Sequence, residues 1–107
     1  MATPLHSHSH FSALDGLAKP SEMAARCKEL GFTACGLTDH DVVAGHYEFY
    51  NEMVKAGVKP ILGVEAYQTT GARQTNLGFR TDPKTKEKAD NFHLILLAMN
   101  STGLRNL

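Results

Sequence analysis

Ala34-Cys35-Gly36-Leu37-Thr38-Asp39-His40 is the stretch on which the fold turns. Its first four residues are small or apolar and read as a short buried strand, and Thr38-Asp39-His40-Asp41 leaves that strand as a polar loop. Immediately upstream, Pro20-Ser21-Glu22 opens a helix, because proline suits the first helical position and glutamate the positive end of the dipole. Met23, Cys27 and Leu30 then form one apolar stripe at i, i+4 and i+7, and Gly31 closes the helix as a left-handed cap. Downstream a second helix is expected from about Ala44, with His46, Phe49, Tyr50, Met53 and Val54 at helical spacing and Gly57 as its cap.

Further out, Thr3 to Ser9 alternates as a short first strand, with Pro4 acceptable near its start. Pro60-Ile61-Leu62-Gly63-Val64 is a third apolar strand that runs into Glu65-Ala66-Tyr67. Residues from about 68 to 91 are polar and lack apolar periodicity, which marks a functional excursion or a loop. Leu94 to Met99 is a fourth strand, and Ser101 is placed to cap a last helix. Strand, helix, strand, helix, strand, long loop, strand and helix start imply right-handed crossovers and a parallel sheet. The expected class is therefore α/β, the N-terminal part of a β/α barrel that is incomplete at the C-terminus.

Composition narrows the function. A chain of 107 residues is one domain at most, and its 42% hydrophobic content supports a small core. Eleven Lys plus Arg balance eleven Asp plus Glu, so no overall positive field draws the chain onto nucleic acid. Met1-Ala2-Thr3-Pro4 lacks the basic and apolar regions of a signal peptide, and no apolar run reaches the length of a membrane span. Cys27 and Cys35 are too few for a disulfide framework and read as reduced thiols of a cytoplasmic protein.

The chemistry-bearing residues cluster at strand ends. His6-Ser7-His8 places two imidazoles on one face of an extended segment, where they can share a metal; His10 continues the parity. His40 follows the second strand and Glu65 the third, at the carboxyl ends where parallel α/β folds bind ligands. Each has a plainer reading alone: a chance His-rich end, a polar loop turned by Asp39, a solvated strand exit. Together they bring nitrogen and oxygen donors to one face, a set suited to Zn²⁺ or Mn²⁺, with Mg²⁺ less natural among imidazoles. His93 precedes its strand, and in a parallel sheet that would put it at the opposite end. Asp15, in Leu14-Asp15-Gly16, reads by itself as a turn residue.

Read in order, several blocks make a larger pattern. His6-Ser7-His8 with Phe11-Ser12-Ala13-Leu14-Asp15-Gly16-Leu17-Ala18-Lys19, Leu37-Thr38-Asp39-His40, Glu48-Phe49-Tyr50, Gly57 through Tyr67, and His93-Leu94 through Thr102-Gly103-Leu104-Arg105-Asn106-Leu107 occur in this order. The pattern resembles the opening of bacterial DNA polymerase III alpha subunits, the PHP (polymerase and histidinol phosphatase) domain, over nearly the whole chain except the polar loop. The resemblance implies a distorted, TIM-like β/α barrel with a cluster of up to three metals, held within this segment by His6, His8, Asp15, His40, Glu65 and His93. It also implies that Asp39 supports His40 from behind. On this reading residues 1–107 are a partial PHP domain, with the family's later ligands, its palm and its clamp-binding parts outside the chain.

The implied function is DNA replication, with metal-dependent phosphoester hydrolysis, 3′–5′ exonucleolytic in kind, by a metal-activated water. DNA would be gripped by other domains of the parent polymerase, and a proofreading exonuclease subunit is an implied partner. Two alternatives stand beside it. One is a PHP module that metals only brace. The other is a free-standing PHP phosphoesterase, which would share His-x-His and Thr-Asp-His but not Leu14 to Lys19 or Thr102 to Leu107.

Overall fold

The computed structural model describes residues 3–69 and 91–107. Two helices pack beside a three-stranded mixed sheet in the order β1-β2-β3, with a third helix after the last strand. The elements in chain order are α1 (Pro20–Glu29), β1 (Ala34–Leu37), α2 (His46–Ala56), β2 (Lys59–Thr69), β3 (Asn91–Leu97) and α3 (Ser101–Asn106).

The helix boundaries follow local chemistry. Glu22 accepts the backbone N–H of Lys19 at 2.8 Å, satisfying a donor just ahead of Pro20. Gly31 and Gly57 take the left-handed backbone, φ 70° and 77°, that ends α1 and α2. After Gly57 the Val58 N–H reaches back to the Met53 carbonyl at 2.9 Å, closing the last turn. Ala24 and Cys27 of α1, Cys35 and Leu37 of β1, Phe49 and Met53 of α2, and Val58 form the core. The sequence stripe is only partly inward: Leu30, Tyr50 and Val54 remain exposed. Asn100, not Ser101, caps α3, its side chain accepting the Gly103 N–H at 2.9 Å.

Two strand expectations change. Thr3 to Ser9 is extended but carries no regular ladder: Pro4 and Ser7 accept the N–H groups of Gly36 and Thr38, while the Ser7 N–H goes to the Thr38 hydroxyl instead of a backbone carbonyl. The segment therefore runs beside β1 without continuing the sheet. The sheet is also not all parallel. β1 pairs with β2 parallel, Leu37 opposite Leu62, but β3 runs antiparallel to β2, with Gly63 opposite Leu97 and Tyr67 opposite His93. The flanks of the expected polar stretch, residues 68–69 and 91, belong to β2 and β3, and the remainder lies outside the described residues.

This topology separates two regions of the β2–β3 pair. Its Lys59 and Leu97 end carries an apolar groove of about 520 Å³, lined by Ile61, Leu97, Met99 and Leu104 among others. The other end carries the titratable residues. Among the described residues no helix is long and apolar enough to cross a membrane.

Candidate metal centre

Glu65 sits inside β2, not at its exit, and is 2% exposed. An ionised carboxylate is costly to bury unless partners surround it. Here its partners are imidazoles from three parts of the chain. His6 Nε2 and His8 Nε2 lie 2.7 and 2.6 Å from Oε2, and His93 Nδ1 lies 2.7 Å from Oε1. His40 Nε2 approaches Oε2 at 3.6 Å.

Each segment reaches Glu65 for a local reason. The extended backbone at residues 6–8 puts both imidazoles on one face, their Nε2 atoms 3.1 Å apart. Beyond the end of β1 the chain rejoins β2: the Glu65 N–H donates to the Asp39 carbonyl and the Asp41 N–H to the Glu65 carbonyl, each at 3.1 Å, which sets His40 beside Glu65. His93 arrives because β3 is antiparallel. Its strand start then lies at the same end of the sheet as Glu65, whereas a parallel strand would have carried it to the far end.

Asp15 comes from the loop between residue 9 and α1. The Ser12 carbonyl accepts the N–H groups of both Asp15 and Gly16, and Leu14 adopts a left-handed backbone, φ 67°, that turns the chain back. The Asp15 carboxylate then contacts His8 Nδ1 and lies 3.2 Å from His40 Nε2. All six residues singled out as ligands thus meet. Three overlapping triads, His6–His8–Glu65, His8–Asp15–His40 and His40–Glu65–His93, each place their donor atoms within 4.8 Å of one another. His10 stays outside the cluster, exposed and packed against the Phe11 ring at 4.3 Å.

Asp39 takes a different role from the one expected. Its buried carboxylate accepts the Ser9 N–H at 2.6 Å and the Ser9 hydroxyl at 2.7 Å, not the ring of His40. The support of His40 comes instead from Ser12, whose hydroxyl accepts the His40 N–H at 3.0 Å. Ser9, Ser12, Thr38 and Asp39 are all buried. They form a polar frame that ties the Asp15 loop to the end of β1. Ser9 and Ser12 were not legible as site residues, since isolated serines in a turn carry no periodic signal. Tyr67 was also missed. Its ring stacks on His40, centroids 5.6 Å apart and planes 16° apart, and meets His93 edge-on at 5.0 Å.

The electrostatics fit a cation. Burial raises the Glu65 carboxyl, but hydrogen bonds from His6 and His8 and the nearby His40 and His6 charges outweigh it, leaving the group below its ordinary value. As metal ligands the four imidazoles would be neutral, and the two carboxylates would then carry two negative charges for a divalent cation to balance. In addition, His6 and His8 crowd one carboxylate oxygen with nitrogens that must each bring a proton or share a metal. The residues present fit a divalent metal.

The family model described as the PHP domain matches residues 4–107. The chain is 44% identical over 109 residues to the DNA polymerase III subunit alpha of Aquifex aeolicus and 47% identical over 111 residues to that of Mycobacterium tuberculosis. Each match covers 96% of this chain but 9% of the relative. Among solved structures, one described as a metal-dependent phosphoesterase from Bifidobacterium adolescentis aligns with a TM-score of 0.57 and 29% identity, over 61% of this chain and 22% of that one. An amidohydrolase from Chromobacterium violaceum, with bound sulfate and no metal, aligns with a TM-score of 0.57 and 31% identity, over 66% and 24%.

Proposed function

The chain belongs to the PHP domain family, and from that membership we propose that it is the N-terminal PHP module of a replicative DNA polymerase III alpha subunit, built to hydrolyse phosphodiesters with divalent metals. In this reading residues 1–107 are the first part of a distorted, TIM-like β/α barrel. The chain spans 9% of the length of these curated relatives.

The observation that carries the reading is the convergence of four imidazoles and the Asp15 carboxylate around one buried glutamate, Glu65. His6, His8, Asp15, His40, Glu65 and His93 would hold the metals. Zn²⁺ or Mn²⁺ suits so imidazole-rich a set better than Mg²⁺. Divalent metals so held would supply Lewis acidity toward phosphate oxygens and would lower the pKa of water. Glu65 offers Oε2 on the side of His6 and His8 and Oε1 on the side of His93, so it would serve as a ligand beside either group of histidines. Asp15 engages His8 and His40 together and would complete the donor set on their side.

The balanced charge of this module leaves the grip on DNA to other domains of a cytoplasmic polymerase. A proofreading exonuclease subunit would be a further partner. The test is elemental metal analysis of the chain and its His8→Ala variant, paired with 3′–5′ degradation of a mispaired primer by the longer polypeptide. Wild type is expected to retain metal and degrade the primer, and His8→Ala to do neither. Primer degradation that survives in His8→Ala would overturn the hydrolytic reading.

A second reading has its own support. The Thr3–Ser9 segment carries no regular ladder, so metal ligation through His6 and His8 would brace it onto Glu65. A purely bracing role predicts ligand variants that lose melting temperature while the longer polypeptide keeps whatever nuclease activity it has.

A further inference from the structure

We propose that Tyr67 is a positioning residue that fixes the ring of His40 by stacking, in place of the hydrogen bond that usually orients a metal-binding histidine. The inference rests on the metal-centre reading above and extends it to a residue outside the ligand set.

A ligating imidazole normally anchors its second nitrogen on a carbonyl or carboxylate, which sets both its tautomer and its rotation. His8 has such a second contact: Nε2 meets Glu65 while Nδ1 meets Asp15. His40 does not. Its Nδ1 is buried and has no hydrogen-bond partner among the described residues. Its Nε2 stands 3.2 Å from Asp15 and 3.6 Å from Glu65, so both carboxylate contacts fall on one nitrogen and leave the other side of the ring unanchored.

Packing supplies what polar contacts omit. Alternation along β2 puts Tyr67 on the same face as Glu65, and the antiparallel register puts His93 directly opposite Tyr67. The three rings make a closed group. Tyr67 lies nearly parallel to His40 with planes 16° apart, and His93 stands edge-on to both, at 4.8 Å from His40 and 5.0 Å from Tyr67. Parallel and edge-to-face contacts favour one rotation of each ring over the others. The stacked ring holds Nε2 toward the carboxylates and Nδ1 toward the protein.

The experiment compares the chain with its Tyr67→Phe, Tyr67→Leu and Tyr67→Met variants. Metal-free samples labelled with ¹⁵N at histidine report the His40 tautomer, and titration with Mn²⁺ or Zn²⁺ reports affinity. Wild type and Tyr67→Phe are expected to show a single His40 tautomer, protonated at Nε2, and like affinities. Tyr67→Leu is expected to average the two ring nitrogens and weaken metal binding roughly tenfold. Tyr67→Met, flexible but without a planar face, should behave as Tyr67→Leu does, and stands in for it if the leucine variant does not fold. A His40 spectrum unchanged in the leucine or methionine variant overturns the proposal, as does a phenylalanine variant as impaired as the leucine one. If wild type binds no metal the metal-centre reading falls, while the metal-free spectra still decide the role of Tyr67.

Discussion

Nδ1 of His93 lies 2.7 Å from Oε1 of Glu65, a contact that only the antiparallel pairing of β3 with β2 makes available. It completes the ring of imidazoles around a carboxylate that is almost wholly buried. Glu65→Gln keeps the shape but removes the charge. The variant should lose at least about tenfold in metal affinity, judged against the 10–100-fold effects of weaker perturbations around metal sites. Its metal-free stability should fall by about 1–3 kcal/mol as the histidines face an amide. Calorimetric titration and urea unfolding measure the two effects separately.

Acid should act on the same glutamate. Its carboxyl is held below its ordinary value in the fold by His6 and His8, with contributions from His40 and His6 charge, against the opposing effect of burial. A depressed folded value means the stabilisation is fully present above the unfolded value and is lost as pH falls through the folded one. For the metal-free chain, the expected loss therefore begins near pH ~4, the unfolded glutamate range, and deepens below it. Thermal unfolding between pH 3 and 6 checks this, and Glu65→Gln should show a flatter profile.

The Asp39 carboxylate accepts two hydrogen bonds from Ser9 in a buried position. Asp39→Ala leaves the Ser9 N–H and hydroxyl without that acceptor, and should cost about 2–3 kcal/mol. Because Ser9 begins the loop that carries Asp15, metal affinity should fall with it. Asp39→Asn, which keeps one acceptor oxygen, is expected to lie between. Chemical denaturation and metal titration of both variants provide the check.

Gly16 lies against the Ser9 carbonyl, so an added Cβ would collide with backbone atoms. Gly16→Ala should displace the loop that brings Asp15 to His8 and His40, destabilising by about 1–3 kcal/mol. A selective effect is expected at the triad His8–Asp15–His40, with weaker metal binding at one position of the cluster. Metal stoichiometry of the variant, set beside its melting curve, tests this.

Cys27 and Cys35 are both buried, and burial together with the neighbouring Cys27 thiol pushes Cys35 up to about 12. A thiol at that value has almost no thiolate at neutral pH. A disulfide-exchange reagent should react with these cysteines only as the chain unfolds. Labelling that tracks the denaturation curve is the expected result, and rapid labelling of the native chain would contradict the core described above.

Much of the site was legible because its signals are local. His6 and His8 share a face by the two-residue repeat of extended chain, and the helices end where Gly31 and Gly57 permit a left-handed turn. The plain physical reading of Asp15 and His93 was not enough. An aspartate in a turn looks the same whether or not it folds back onto a histidine, and only the family pattern pointed to these two as ligands. Ser9, Ser12 and Tyr67 gave no signal, since their importance lies in what they touch.

By itself the sequence determined the helices, the glycine ends of the first two, the apolar runs and the family to which the chain belongs, since each is written in neighbouring residues. The tertiary structure alone decided that β3 runs antiparallel, that Glu65 lies within β2, and that Asp39 grips Ser9 while Ser12 holds His40. The physical reason is directional. An apolar run reads alike in a parallel or antiparallel strand, and a buried carboxylate takes whichever donors the fold brings within about 3 Å of it.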